Sequence, residues 1–423
     1  MLESKGGAPA ASSRTALPNP RLMHILLVHQ YLLRTDEAGM TQHYEFARHL
    51  VRSGHRVTVL AGTRSYLTGA DHSPSAAAEP GLEILRCRVW GQTHQSFLQR
   101  GLGFLSFTFT SFVRGLLLRN VDLVWSTSPP LPQVGTAWAL AVIHRAPLVF
   151  EVRDLWPAVA VELGVLRNPI LVAVARWAER FLYRRARRVI VNSPGFIPSL
   201  LRAGVPPEKL ALVPNGADVR RFNPSDPGVA FRRAHSLQRR FVALYAGAHG
   251  LSNDLTTLLA GADLLRTDSR IVFVLVGDGK EKPHLIAEAE RMGLPNVRFL
   301  PPVPKAEMPG VLAGADCGVA ILRPIPLFAT TFPNKVFDYM AAGRPVVLAI
   351  NGVIRTVVEE AGAGLAVPPG DPAALAEAIR ALAANPQAAR DMGRRGRAHA
   401  EAAFDRADLA AQMERVLREA AQR

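Results

Sequence analysis

The chain has 423 residues, which is more than one hydrophobic core usually holds and fits two domains. Hydrophobic residues make up 48% and charged residues 20%, which excludes an intrinsically disordered chain. The net charge of +15 comes almost wholly from arginine, since only six of the 50 basic residues are lysines. Three partners suit such a surface: nucleic acid, an anionic membrane face and phosphorylated small molecules. GC-rich codon usage also favours arginine over lysine.

The cysteines and the first residues bear on the compartment. Cys87 and Cys317 are the only cysteines, and so distant a pair predicts no disulfide framework and no metal cluster. A reducing compartment is therefore expected. Residues 1–22 lack the apolar core of a signal peptide and predict a disordered extension. Because Met23 directly precedes the first predicted strand, we expect translation to start there.

In the first half of the chain, short apolar runs alternate with helical patterns. The run HILLVH at 24–29 predicts a buried parallel strand. The segment at 41–54 predicts an amphipathic helix that Gly54 ends. Further strands are predicted at 55–62, 121–127, 147–152 and 187–193. This alternation predicts a doubly wound α/β domain over residues 23–215.

A second cycle of strands follows a junction at 213–228 that is rich in Pro, Gly, Asn and Asp. Its strands are predicted at 239–248, 271–279, 297–303, 317–322, 345–350 and 364–371. We therefore predict an α/β protein of two facing Rossmann-like domains with a cleft between them, the second at 216–403. The amphipathic helix at 404–423 is predicted to pack back toward the N-terminal domain. Ligands of such sheets lie at the carboxyl ends of the strands.

Two glycine loops of the second domain each follow a strand and precede a helix. Glycines let a ligand approach the backbone, and the amides of a helix N-terminus attract phosphate. The candidate residues in these loops are Gly247, Gly250 and Asn253 in YAGAHGLSND, and Gly277, Gly279 and Lys280 in VGDGKEK. Each loop also suits a plain turn, since neither has the dinucleotide-binding fingerprint.

The stretch FPNKVFDYMAAG places a turn, a lysine and a carboxylate at one helix start. The amides of residues 331–336 can point at a diphosphate. Asp338, one turn into the helix, can grip the vicinal hydroxyls of a ribose. The alternative is that Asp338 only complements the helix dipole, which contributes about 0.3–1 kcal/mol.

Polar residues also end strands of the first domain. FEVRDLWP places Arg153 and Asp154 at a strand end, where they either contact substrate or form a structural ion pair. His29 in VHQY and Ser128 in STSPP lie at the same predicted edge. Both are candidate cleft residues, and the alternative for His29 is a satisfied polar group.

Two segments suggest membrane contact. The segment at 97–119 is rich in Phe and Leu, but Arg114 and several polar residues break it, so it favours the membrane interface over a span. A second segment repeats arginine at every fourth position beside aromatic residues, at Arg176, Arg180, Arg184 and Arg188. The alternatives are a buried helix for the first and a solvated face for the second. Nucleic acid is disfavoured, because no recognition motif is present.

Taken in this order, VHQY, FEVRDLWP, VPNGADVRRFNP, YAGAHGLSND, VGDGKEK and PNKVFDYMAAGRPVV resemble the family 4 glycosyltransferases of GT-B fold, over residues 23–420. The likeness is to the bacterial subgroup that builds O-antigen, capsule and exopolysaccharide, including N-acetylfucosaminyl transferase-like members. It implies retaining transfer of a hexosyl group from a nucleotide sugar, usually UDP-linked, without a metal or other cofactor. It also implies a polyprenyl-diphosphate-linked saccharide acceptor and a cytoplasmic enzyme on the inner face of the bacterial cytoplasmic membrane.

The resemblance also assigns donor contacts to single residues. It places the pyrophosphate at the amide of Phe332, at Asn334 and at Lys335. Asp338 stands where the family has a ribose-binding Glu and is one methylene shorter. Gly39 corresponds to the glycine loop of the N-terminal domain, although Met40 follows it where a second glycine is common.

The sequence departs from the family pattern at three places. Ala248 and Asn253 stand where many members have Arg and Lys, and Arg153 stands where many have His. The first acidic residue of the family's E-x7-E pattern is missing near Ala329 and Thr330.

A leaving diphosphate still needs preorganised positive charge. We therefore expect Lys335, Arg323 and Lys280 to supply it. Two alternatives to glycosyl transfer are a nucleotide-sugar 2-epimerase of the same fold and a non-catalytic protein that binds nucleotide sugars.

Overall fold

The computed structural model describes residues 22–65, 72, 79–90 and 97–422. Apart from Leu22, the predicted extension at 1–22 lies outside the described residues. Within them the chain forms two parallel sheets, each covered by helices on both faces.

The first sheet is built from buried runs rich in β-branched and aliphatic residues, as parallel strands covered on both faces require. In the described part of the chain it has seven strands in the order β3-β2-β1-β4-β5-β6-β7. They are β1 His24–Val28, β2 Arg56–Gly62, β3 Leu82–Cys87, β4 Leu123–Ser128, β5 Leu148–Val152, β6 Arg188–Val191 and β7 Leu210–Leu212. The order reverses between β1 and β4, which makes this the switch point where a ligand crevice is expected.

Six α-helices accompany this sheet among the described residues: α1 Gln42–Arg52, α2 Phe97–Leu116, α3 Leu131–His144, α4 Ala158–Glu162, α5 Pro169–Arg185 and α6 Ile197–Arg202. α3 packs against both α2 and α5, so the three form one layer on one face of the sheet. On the other face, α1 contributes its buried residues Phe46, Ala47 and Leu50.

The second sheet has six strands within the described residues, in the order β10-β9-β8-β11-β12-β13. They are β8 Phe241–Ala246, β9 Ile271–Val276, β10 Val297–Leu300, β11 Cys317–Ile321, β12 Val346–Ala349 and β13 Gly364–Ala366. The helices of this half are α7 Val229–Ala234, α8 Leu255–Asp263, α9 Lys282–Arg291, α10 Met308–Ala313, α11 Asn334–Ala341, α12 Val353–Glu360, α13 Pro372–Ala384 and α14 Pro386–Ala403. Its switch point lies between β8 and β11.

The last helix, α15 (Arg406–Ala421), joins the core of the first half. Its apolar face, which includes Met413 and Leu417, is buried in the same cluster as α1, β1 and β2. Polar contacts reinforce this packing, with Arg406 Nη1 2.9 Å from Glu45 Oε2 and His49 Nε2 2.9 Å from Glu414 Oε2. The two halves are therefore tied together at the C-terminus of the chain.

Every strand predicted from the sequence is present, with ends shifted by a few residues. β3 and β7 were missed, and the reason is their place at the two edges of the first sheet. Edge strands are partly exposed and lack a continuous apolar run; the central residues of β3 are half-buried or exposed, and β7 has only three residues. The predicted arginine repeat was wrong at Arg188, which begins β6 and pairs with Glu419 at 3.2 Å.

Candidate functional site

The switch point of the second sheet assembles the strongest constellation of polar groups. The loop after β8 contains GAHGLSND, and the loop after β11 leads into α11. A buried tyrosine fixes α11 beneath them: the Tyr339 hydroxyl accepts from the Ala246 amide at 2.9 Å and donates to the Val319 carbonyl at 3.2 Å. The start of α11 is therefore held rigidly at the carboxyl ends of β8 and β11.

The N-terminus of α11 has no side-chain cap. Pro333 precedes the helix in an extended conformation, and no side chain accepts from the first-turn amides. Uncapped amides carry the positive end of the helix dipole and attract anions. Phe332 is buried against Phe337 and Phe404, and its carbonyl accepts from Asn215 Nδ2 at 2.7 Å, which anchors the loop.

Lys335 brings an ammonium group to the same point. Its Nζ lies 3.3 Å from Asn253 Oδ1 and 3.9 Å above the centre of the Tyr245 ring. A Cβ at residue 247 would lie 3.2 Å from this Nζ, so Gly247 leaves the room that the lysine occupies. Burial lowers the pKa of Lys335 to about 7, because the described residues offer it no ion pair.

Asp338 lies one turn further along α11 and is almost completely buried. Its Oδ2 accepts from Lys305 Nζ at 2.5 Å, whereas its Oδ1 is buried without a partner among the described residues. Lys305 was not singled out from the sequence, and nothing in its local pattern marks it. An unpaired carboxylate oxygen beside a paired one is free to accept a ligand hydroxyl.

The glycine loops have a packing role that the sequence did not reveal. A Cβ at Gly277 would lie 1.9 Å from the Gly247 carbonyl oxygen, and one at Gly279 would lie 2.4 Å from the His249 carbonyl oxygen. The two loops thus touch through their backbones, with the His249 amide donating to the Asp278 carbonyl at 2.8 Å. Gly250 has no such constraint, since only Asn253 Nδ2 lies within 4 Å of its Cβ position.

The other two expected cations, Lys280 and Arg323, are both exposed. Lys280 is exposed in the loop before α9. Arg323 is also exposed and lines a hollow with Asp254, Thr257, Pro324, Ile325 and Gly370, although its amide donates to the Ser252 carbonyl at 3.0 Å. The structure thus places Asn253 beside Lys335, while Arg323 and Lys280 are exposed.

Across the cleft, Arg153 follows β5 and faces α11. Its Nη1 lies 3.0 Å from His43 Nδ1, and its Nη2 contacts Met40 Sδ. The same sulfur lies 3.0 Å from Asn334 Nδ2, so Met40 bridges the two halves. Gly39, before it, adopts a φ of +128°, which favours glycine. Neither Met40 nor His43 was proposed from the sequence as a site residue.

The other predicted residues of the first half lie around Arg153. Asp154 is exposed at its surface, yet desolvation by the surrounding protein raises the pKa of its carboxyl to about 6 despite the neighbouring Arg153. His29 is buried, with Nδ1 3.0 Å from Thr127 Oγ1, and burial holds its pKa well below the usual value. Ser128 is also buried, and its carbonyl accepts from the Arg153 amide at 3.0 Å.

Comparisons with known proteins find a glycosyltransferase domain in each half of the chain. The glycosyl transferase 4-like domain family matches residues 38–216, and the glycosyl transferases group 1 family matches residues 240–385. The D-inositol 3-phosphate glycosyltransferase of Streptomyces scabiei is 30% identical over 93% of this chain and 90% of that protein. Its namesake from Nocardia farcinica is 28% identical over 62% of this chain, and the matched part spans only 58% of that relative. The colanic acid biosynthesis protein WcaI of Escherichia coli is 26% identical over 72% of this chain and 77% of its own length.

Solved structures share the fold over nearly the whole chain. Sucrose-phosphate synthase from Thermosynechococcus elongatus superposes with a TM-score of 0.76 at 20% identity and covers 94% of this chain and 98% of its own. Anabaena HepE, in complex with UDP and glucose, gives a TM-score of 0.70 at 20% identity over 93% of this chain and 99% of its own. The GT-B fold predicted from the sequence is confirmed.

We expect the two glycine loops to respond differently to a methyl group. Gly277→Ala should lower the free energy of unfolding by about 1–3 kcal/mol or more, since it combines a φ of +149° with a clash against the Gly247 carbonyl. Gly250→Ala, at a φ of −119° with open space, should stay within about 0.5 kcal/mol of the wild type. Thermal unfolding of both variants checks this, and equal stabilities would contradict the loop contact.

Proposed function

This chain belongs to the glycosyltransferases that join a 4-like domain to a group 1 domain, and from that premise we propose that it transfers a sugar from a UDP-sugar to a lipid-linked saccharide of a cell-surface polysaccharide. The observation that carries the proposal is the grouping of Lys335, the uncapped start of α11 and the half-paired Asp338 at one switch point. Relatives support it by name, since WcaI is named for colanic acid biosynthesis and HepE was solved with UDP-glucose. The N-acetylfucosaminyl subgroup stays a prediction.

The proposed donor pose follows from the charges. The diphosphate lies at the first amides of α11, where Lys335 supplies a cation from beneath the loop after β8. The ribose lies one turn along the helix, where Asp338 Oδ1 accepts a hydroxyl while Lys305 holds Oδ2. The sugar then projects from the diphosphate into the cleft between the two halves.

The proposed reaction is front-face displacement with retention. The bond between the anomeric carbon and the leaving diphosphate oxygen breaks as the acceptor oxygen forms its bond on the same face. The acceptor proton passes to the leaving oxygen, so no protein nucleophile is needed. Positive charge fixed at the diphosphate stabilises the charge that develops there.

A membrane face would bring a lipid-linked acceptor to the cleft. The layer of α2, α3 and α5 exposes large apolar side chains on its outer surface: Leu102, Leu105, Phe109, Val113, Leu116, Leu117, Val142, Ile143, Ile170, Leu171, Val174 and Trp177. The exposed Arg176, Arg180 and Arg184 lie on α5 beside them. In the described residues no helix is long and apolar enough to cross a bilayer. Exposed apolar and basic groups on one layer suit the interface of an anionic membrane.

Removing the charge of Lys335 should slow turnover. Lys335→Met should lower kcat by about 10²-fold or more, because a preorganised cation at the leaving group is lost. UDP release from a panel of UDP-sugars measures this, and unchanged turnover would refute the role.

The pH dependence of UDP binding tests whether the positive charge of Lys335, and not only the volume of its side chain, contributes to affinity. Because the pKa of Lys335 is about 7 in the free protein, its charge is lost as pH rises above 7, and binding must then recover a proton. UDP affinity of the wild type should fall with pH by up to roughly tenfold per unit relative to Lys335→Arg, which stays charged. The ratio of the two proteins cancels the titration of UDP itself.

The role of Asp338 is tested by matched deletions in protein and donor. In Asp338→Asn the amide oxygen should face Lys305, which leaves an NH₂ group that cannot accept a ribose hydroxyl. Donor KM should rise about tenfold with kcat within about twofold, as for a ground-state contact. UDP-sugars that lack the 2′ or the 3′ hydroxyl of the ribose are the controls. The wild type should bind one of them more weakly than the full donor, whereas Asp338→Asn should bind that deoxy donor and the full donor equally well. An effect confined to kcat would count against ribose binding.

Membrane contact is tested by flotation with vesicles of phosphatidylcholine and 30% phosphatidylglycerol at low salt. The wild type should float, and the double variant Phe109→Ser with Trp177→Ser should bind at least about tenfold more weakly, because two apolar side chains lose their burial. Leu264→Ser, at an exposed leucine on the second domain, is the control. Absence of wild-type binding would exclude this face as a docking surface.

A further inference from the structure

A chain of buried polar side chains runs from the first sheet to the cleft. Glu151, in β5, is almost fully buried, and its Oε2 accepts from Trp125 Nε1 at 3.1 Å and pairs with His43 Nε2 at 2.9 Å. The other ring nitrogen of His43 lies 3.0 Å from Arg153 Nη1. We call Glu151, His43 and Arg153 the orienting chain.

The chemistry of the three groups fixes where the protons lie. A guanidinium can only donate, so His43 Nδ1 must accept from Arg153. His43 is therefore neutral, and its Nε2–H donates to Glu151. Burial lowers the pKa of His43 despite the neighbouring Glu151, which favours a neutral ring at neutral pH. Burial alone would raise the pKa of Glu151, but the contacts with His43 and Arg153 outweigh it and lower that pKa, which favours a charged carboxylate.

The far end of the orienting chain lies at the proposed diphosphate position. Met40 Sδ contacts Arg153 Nη2 and lies 3.0 Å from the side-chain amide of Asn334, the first residue of α11. A thioether is a weak acceptor on a flexible side chain. A diphosphate oxygen is a far better acceptor for a guanidinium, which can bind it in a bidentate way.

We propose that Arg153 contacts the leaving diphosphate from the opposite domain after displacing Met40, and that His43 and Glu151 are the positioning residues that aim its guanidinium. This inference rests on the proposed function. It accounts for Ala248 and Asn253, which provide no charge in the loop after β8. Lys335 and Arg153 then clamp the diphosphate from the two halves of the molecule.

Steady-state kinetics with a UDP-sugar test the inference. His43→Phe keeps the ring but removes both hydrogen bonds, and it should lower kcat about tenfold with donor KM within about twofold. His43→Asn restores an acceptor near Nδ1 and should recover most of that loss. Arg153→Lys should lower kcat about 10²-fold, since lysine cannot reproduce the fork. The double variant His43→Phe with Arg153→Lys should be no slower than Arg153→Lys alone, because the residues act as one unit.

The control shares helix α1 and the same substitution. His49 bonds to Glu414 at 2.9 Å and has no link to Arg153, so His49→Phe should keep wild-type kcat. A His43→Phe enzyme as fast as the wild type, or a loss that multiplies with that of Arg153→Lys, would overturn the inference. So would a loss that matches the fraction of unfolded protein measured by circular dichroism.

One readout needs no donor and separates this inference from the proposed function. In the ¹⁵N spectrum of the wild type, His43 should be neutral, with its proton on Nε2. A charged ring or an Nδ1–H tautomer would overturn the orienting chain even in an active enzyme. A wild type that neither binds UDP nor turns over UDP-sugars would instead refute the proposed function and, with it, the diphosphate contact.

Discussion

The proposed donor side of the cleft depends on one half-buried cation, Lys335, which has no carboxylate partner among the described residues. Lys335 lies between the Tyr245 ring and Asn253, and within the described residues no carboxylate pairs with it. Burying an ammonium in this way is costly, which is why its pKa falls to about 7. A bound anion would remove that cost. The surrounding structure serves this position, since Gly247 leaves the space and Tyr339 fixes the helix that holds the lysine.

Asp338, further along the same helix, is linked to the contact between the two halves. Lys305 pairs with Asp338, and the backbone amides of residues 305 and 306 donate to the carbonyls of Glu37 and Thr35 at 3.0 Å each. A shift of this loop therefore changes both the partner of Asp338 and the interdomain contact. One short segment thus contacts both Asp338 and the first half of the molecule.

Much of the fold could be predicted from the sequence, because buried parallel strands are continuous apolar runs. The edge strands β3 and β7 lack that signal. At the candidate site, Lys335 and Asp338 could be proposed from the sequence because a helix start and a turn lie beside them, and their roles stay predictions. His43 and Glu151 were missed although each left a trace: Glu151 is a lone carboxylate inside an apolar strand, and His43 lies on the buried face of α1.

The remaining misses share a physical cause. Lys305 and Met40 meet their partners only after the chain has folded, 33 and 294 residues away in sequence. The expected contacts of Arg323 and Lys280 with the diphosphate stay predictions, because a loop position does not fix the direction of a long flexible side chain. Gly277 and Gly279 have a packing role that the sequence pattern did not indicate, since the backbone of the neighbouring loop lies where a Cβ would be. Their predicted contacts with a ligand stay predictions.

The position of positive charge distinguishes this site from the family pattern. Where the family resemblance implies two cations on one loop of the donor domain, this chain has one lysine on α11, beside Tyr245 and Asn253, and one arginine across the cleft, beside the buried His43. Two cations on one domain can bind a diphosphate in any arrangement of the halves. Under the contacts proposed above, Lys335 and Arg153 bind it together only when the halves are closed. Strong binding and charge stabilisation would then both require closure, which also excludes water from a donor that would otherwise hydrolyse.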